Sequence, residues 1–302
     1  MKNITTFKTE LPTIDVIENL IKDASDLTHT DCPENQMRSF GFAPSSAIVK
    51  LDNGYRIDFV FEQKKIPANI INRAAKKIVD QLEAQELRSA TRVEKGQIRE
   101  EVLIDLCKQA FTEITNFSAF YHSKKEFLII NTGNKDQAGA LMGCLAKLSG
   151  SIKTTTLHVC GISNGLDTAA LECIADGHLR VAGFDFGEKL NLQHIEDKSQ
   201  TAKFSTDYKL DHIQDLLTTG YTIKSLSLKR GDLSFILTDD FKIKSIGKSD
   251  ELFESLEDDF EDVQEAQIHE QGVMLELMTA NVEALITHFD KVANTEELPK
   301  AA

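Results

Sequence analysis

Three β-rich runs, YTIKSLSL (221–228), LSFILT (233–238) and FKIKSIG (241–247), follow one another with Gly231-Asp232 and Asp239-Asp240 as the turn dipeptides between them. Connections this short cannot return a strand parallel to its neighbour, which takes a crossover of a dozen residues or more, so the runs predict an antiparallel meander. The same logic holds upstream. SAIVKL and YRIDFVFE flank Asp52-Asn53-Gly54, a strong hairpin signal, and FSAFYHS and EFLIINT are joined through Lys124-Lys125. Further strands are expected over 4–9 and near 181–186 and 202–205.

Helical spacing fills the intervals. Pro67 suits a first helical turn, with Ile71, Ala74, Ile78 and Leu82 recurring behind it, and a second helix over 95–111 aligns Ile98, Val102, Leu106 and Ala110. Asn134 with Gln137 three residues on predicts a capped helix whose apolar stripe is Ala138, Leu141, Met142, Leu145 and Leu148. Shorter helices are expected over 14–21, 167–175 and 207–217. Two more close the chain: one over 250–263 with a strongly acidic outer face, and one over 273–289 offering Met274, Met278, Val282, Leu285 and Phe289 for burial. Hairpins and a meander with packed helices between them predict an α+β fold rather than a doubly wound parallel sheet.

A chain of 302 residues has room for two domains. The expected division is an N-terminal α+β half, 1–150, that includes a basic helical finger at about 64–111, and a C-terminal α+β half, 151–302, with the meander and the acidic and apolar C-terminal helices. No secretory signal and no apolar run of eighteen residues is visible, so a cytoplasmic protein without a membrane partner is expected. Cys32, Cys107, Cys144, Cys160 and Cys173 are odd in number and lack CxxC spacing, which predicts free thiols.

Charge is the first functional clue. The formal net charge is -14, yet residues 64–99 hold nine Lys or Arg against four acids, while residues 250–270 hold ten acids and no Lys or Arg. Local patches decide whether a polyanion can dock, because at physiological salt a charge is felt over roughly 8 Å. The basic stretch reads either as a solvated helical face laced with i,i+4 pairs or as a surface that tracks phosphates. Composition leaves both open.

Catalytic signatures are sparse. Neither a Walker nor a Rossmann glycine pattern is present, the eight histidines form no HExxH or Cys/His ligand set, and there is no GxSxG elbow, so neither a metal nor another cofactor is expected. Asp58 with Glu62-x-Lys64 faintly resembles the carboxylates and lysine of metal-dependent nucleases, a pattern that charged chains produce by chance. The expectation is a non-enzyme, with an exonuclease using Glu62 and Lys64 as one alternative. An interaction module built on the acidic helix is another.

The order and spacing of MRSFGFAP (37–44), EQKKIPANIINRAAKKI (62–78), REEVLIDLCKQAF (99–111), LMGCLAKLSGSI (141–152) and DDFKIKSIGKSDEL (239–252) resemble the bacterial recombination-associated RdgC family across essentially the whole chain. The resemblance implies a horseshoe-shaped α+β subunit and a homodimer closed into a ring around double-stranded DNA, without sequence preference. It also implies antagonism of RecA, a role in replication fork repair and association with the nucleoid. It places Arg88, Arg92 and Lys95 in the family's basic finger, Phe111 at the dimer interface, Gln109 where the family carries an arginine, and Lys203 as the remnant of a second basic cluster. Lys76, Lys77 and Arg99 are further DNA-binding candidates. On this reading basic side chains line an inner wall and carboxylates the exterior.

Overall fold

A computed structural model of the chain describes residues 1–45, 47–150, 153–156, 162–206, 209–249, 262–289 and 294–297. In chain order the elements begin with strand β1 (Asn3–Thr9), helix α1 (Ile14–Asp23), strands β2 (Arg38–Phe42), β3 (Ile48–Leu51) and β4 (Gly54–Lys64), and helices α2 (Ala68–Glu86) and α3 (Arg92–Gln109). There follow β5 (Thr112–His122), β6 (Phe127–Ile130), α4 (Lys135–Ser149), β7 (Lys153–Thr156), α5 (Ile162–Asp176), β8 (Arg180–Val181), β9 (Phe184–His194) and β10 (Thr201–Phe204). The last are α6 (Leu210–Thr218), β11 (Tyr221–Arg230), β12 (Leu233–Thr238), β13 (Ile243–Lys248), α7 (Val263–Phe289) and β14 (Asn294–Glu297). The fold is α+β, with antiparallel strand pairing and packed helices, as the hairpin spacing predicts. The chain forms two compact units: residues 1–20, 48–57 and 118–302 make the first, and 21–47 and 58–117 the second.

In the first unit the strands run β10-β9-β11-β12-β13-β1-β6-β5. Ile4 of β1 pairs with Ile243 of β13, and Thr5 to Lys8 pair with β6. The meander is β11, β12 and β13, in the register Leu226 with Leu237 and Leu228 with Phe235. One face of this sheet is apolar: Leu190, Leu192, Ile223, Leu226, Leu228, Leu233, Phe235 and Leu237 are all buried in one cluster with Met274, Leu275, Met278, Val282 and Leu285 of α7 and Leu166, Ala169, Ala170 and Cys173 of α5. Strand alternation sends the intervening side chains to the opposite face.

The second unit pairs β2 with residues 59–63 of β4 and stacks Phe40 on Phe61 with ring centroids 6.0 Å apart. Its helices α2 and α3 share a separate small cluster of Ile71, Ala75, Ile98 and Val102.

Several boundaries differ from expectation for local reasons. Helix α3 starts at Arg92, three residues early, because Thr91 and Glu94 form a capping box. It ends at Gln109 with Ala110 extended, so Phe111 lies off the helix. Asn134 does cap α4, by accepting from the Asp136 N–H, but Gln137 accepts instead from the Thr132 hydroxyl at 2.5 Å. Helix α7 begins ten residues before the expected 273, through a run rich in Gln, Glu and Ala, all compatible with helix. The acidic helix expected over 250–263 falls mostly on residues 250–261, outside the described residues, as does Cys160.

Gly54 follows the tight turn between β3 and β4 with its Cα against the backbone of Tyr121. An added Cβ would lie well inside contact distance of the Tyr121 carbonyl oxygen, and that backbone is held by its ladder to β6. Gly54→Ala is expected to destabilise the protein by about 3 kcal/mol or more, measured by urea denaturation.

Candidate nucleic-acid interface

In the second unit most of the cations sit on the α2–α3 hairpin. Burial of Ile71 and Ala75 against Ile98 and Val102 turns the polar sides of both helices outward, and Arg73, Lys76 and Lys77 of α2 are exposed. On α3, Arg92, Lys95 and Arg99 fall at i, i+3 and i+7, which places them along one stripe. Their electrostatic states differ. Arg88, in the connection between the helices, is bidentate on Glu94, with Nη1 2.9 Å from Oε2 and Nη2 2.5 Å from Oε1, and Nη2 is also 2.5 Å from Glu86 Oε2. Lys95 Nζ lies 3.3 Å from Glu83 Oε1, and the same carboxylate oxygen accepts from the Ala90 N–H at 2.9 Å. Arg73, Lys76, Lys77, Arg92 and Arg99 have no carboxylate partner among the described residues. The tip of the hairpin is apolar: Leu87 is 92% exposed in a left-handed conformation (φ 53), and Val93 is 69% exposed.

In the first unit Lys203 stands on the face of the sheet opposite α7. It pairs with Asn191 of β9, whose Nδ2 donates to Ser225 Oγ at 2.7 Å, and Ser225 pairs with Thr238. The next rows on that face run Ser227, Ile236, Lys244 and Lys229, Ser234, Gly247. Lys189, Lys203, Lys229 and Lys244 lack an ion-pair partner among the described residues. Of these only Lys203 is expected beforehand, from the family resemblance; a single lysine in an alternating strand looks like an ordinary solvated position, and only the register gathers several. Other cations of the meander go elsewhere. Arg230 turns to the α7 side, its Cζ 5.3 Å from the Phe184 ring centroid, Lys248 binds Glu270 of α7, and Lys224 Nζ lies 2.8 Å from Asp239.

The suspected nuclease residues are engaged in holding a loop. Lys64 is 4% exposed and donates to the carbonyls of Pro33 and Glu34 at 2.7 and 2.8 Å. Glu62, equally buried, accepts from the Cys32 N–H at 2.8 Å and lies 3.3 Å from His29 Nε2. Among the described residues, no group of three His, Cys, Asp or Glu is placed to hold a metal ion. Cys32, Cys107, Cys144 and Cys173 are free thiols, and among the described residues no helix is long and apolar enough to cross a membrane. Phe111, between α3 and β5, is 94% exposed, and Ile114 beside it is 56% exposed.

Glu94 carries two duties at the hairpin tip. The Arg88 guanidinium first, and then the Thr91 backbone N–H and hydroxyl, pull its carboxyl down to about 2. A depressed carboxyl contributes stability above its unfolded value, near 4.5, and loses it as pH falls through about 2. The protection factors of the amides at residues 91–95, exchange rates taken relative to the unstructured chain at the same pH, are therefore expected to hold from neutral pH to about 4.5 and to fall toward pH 2. Glu94→Ala, which removes the acceptor for the Thr91 N–H as well as the Arg88 partner, should give low protection at every pH, readable by hydrogen-exchange NMR.

The model of the family described as "Putative exonuclease, RdgC" matches residues 1–295. Relatives named Recombination-associated protein RdgC include one from Neisseria meningitidis serogroup C, strain FAM18, 27% identical over 288 residues, 93% of this chain and 94% of the relative. One from Neisseria gonorrhoeae, strain FA 1090, has the same identity and coverage, and one from Shewanella oneidensis is 23% identical over 258 residues, 83% of this chain and 84% of the relative. With a match that runs through both compact units and nearly the full length, the chain belongs to the RdgC family.

Proposed function

We propose that the protein binds double-stranded DNA without sequence preference, as a homodimer that closes around the duplex, and thereby limits the access of RecA-type recombinase during recombination and replication fork repair. The observation that carries this reading is a cluster, in a chain of net charge -14, of five cations without a carboxylate partner among the described residues: Arg73, Lys76, Lys77, Arg92 and Arg99 on the helical hairpin. Lys203 and its neighbours on the sheet face add to it. Exposed cations gathered on one helical hairpin with no carboxylate holding them are available to phosphates. Phosphate contact without a helix or zinc module shaped for base edges gives binding without sequence readout. The relatives' name, Recombination-associated protein RdgC, supports the same process. Phe111 and Ile114 supply an apolar anchor for a self-complementary contact between two copies. The protein then acts in the cytoplasm, at the nucleoid.

The family description favours a second reading, an exonuclease. The engagement of Glu62 and Lys64 with the 29–34 loop weighs against a catalytic use of that pair.

Affinity for a duplex of random sequence, measured against salt, is expected to fall with a log-log slope of about -0.9 for each phosphate neutralised. The double change Arg92→Glu and Arg99→Glu should flatten the slope by about two. A flat slope for the unaltered protein overturns phosphate contact, and loss of end label from DNA in Mg²⁺ or Mn²⁺ by the pure protein turns the choice to the exonuclease. Phe111→Ala should shift the protein toward monomer in sedimentation velocity, with the melting temperature kept.

A further inference from the structure

On the outer face of the first unit's sheet, β9 carries extra residues. Phe186 pairs with Leu228 and Leu190 with Leu226, so Gly187, Glu188 and Lys189 together stand opposite the single residue Ser227. Such a bulge bends the strand and re-aims its side chains. Here it borders a depression lined by Ser227 of β11, Ser234 of β12 and Ser245 of β13, with Lys189 and Lys229 also lining it.

Every strong donor in this depression is spare. The hydroxyls of Ser227, Ser234 and Ser245 have no hydrogen-bond partner among the described residues, and Lys189 and Lys229 have no ion pair. Asp185, the Cα partner of Lys229, is held by Arg180 Nε at 3.1 Å. Glu188 is the single carboxylate among the lining residues. Access to the Ser227 hydroxyl depends on a missing side chain, because a Cβ on Gly187 would sit 2.5 Å from Ser227 Oγ. Two ammonium groups and three rotatable hydroxyls around one hollow match a tetrahedral oxoanion, which accepts from several directions at once.

We propose that this depression is a phosphate-binding subsite that takes one backbone phosphodiester of a nucleic acid. The assignment rests on the DNA-binding reading above. The shared chemistry is the phosphate group, so free phosphate is the second source to be separated from the diester.

The test uses the full chain, with duplex DNA followed by fluorescence anisotropy and inorganic phosphate followed by NMR of ¹⁵N-serine amides, against chloride at equal ionic strength. Ser227→Ala with Ser234→Ala removes hydroxyls and no charge: DNA affinity should fall about tenfold with the salt slope kept. Lys229→Gln should lower the slope by about one. Gly187→Ala covers Ser227 with every donor still present and should weaken binding likewise, at a circular dichroism spectrum equal to that of the unaltered protein. Phosphate should shift the serine amides saturably, and the double serine variant should abolish the shift at Ser245, whose label it retains. If that variant and Gly187→Ala bind DNA as the unaltered protein does, while Arg92→Glu with Arg99→Glu weakens it, the subsite is overturned and the DNA reading stands. If the unaltered protein ignores duplexes at low salt, the DNA reading and the diester assignment fail together. Saturable serine shifts with phosphate would then support a free-phosphate subsite, and their absence would overturn the subsite altogether.

Discussion

The apolar seam between α7 and the inner face of the first unit's sheet determines what the rest of that unit can present. Met274, Leu275, Met278, Val282 and Leu285 bury one side of the helix, and the strand residues that meet them are leucines, isoleucines and phenylalanines. Because strand side chains alternate, fixing this register inward fixes the other set outward, and a slip of one residue would exchange the two. The row of Lys203, Asn191, Ser225 and Thr238 and the neighbouring lysines therefore owe their common face to hydrophobic burial on the other side of the backbone. A basic face of this kind needs no local charge cluster in the sequence.

On the helical hairpin the opposite holds: the cluster is plain in the sequence, and pairing decides how much of it counts. Residues 64–99 carry a formal excess of five positive charges. Arg88 and Lys95 spend theirs on Glu94, Glu86 and Glu83. These pairs are exposed and contribute little to stability individually, yet Glu83 and Glu94 also accept from backbone N–H groups at Ala90 and Thr91 and so shape the connection between the helices. Of the cations that remain, Arg73, Lys76 and Lys77 lie on α2, while Arg92 and Arg99 share a stripe on α3 with Lys95 between them.

Short-range features were the legible ones. The turn dipeptides predict the meander, Asp52-Asn53-Gly54 the β3–β4 hairpin, and helical spacing picks out four of the five apolar side chains that α7 buries, Met274, Met278, Val282 and Leu285. Thr91-x-x-Glu94 is also a readable helix start, masked by an apolar stripe that begins later, at Ile98. Arg88's engagement with a glutamate six residues away depends on how the connection closes, and strand neighbours such as β1 and β13 are set by packing across most of the chain. The role of Lys64 was hidden for the same reason: Glu-x-Lys on a strand looks catalytic or incidental until the carbonyls of Pro33 and Glu34 are seen against the ammonium.

Strand β1 lies between β13 and β6, and its pairing of Ile4 with Ile243 joins segments that leave the ribosome far apart in time. At about 5–20 residues per second, translation needs on the order of ten seconds or more to deliver the partner strand. During that interval the Asn3–Ile4 stretch of that edge stands open, because β7 takes only Phe7 to Thr9, and it is available to chaperones or to the wrong neighbour. The central sheet of the first unit can therefore close only after most of the polypeptide has been synthesised.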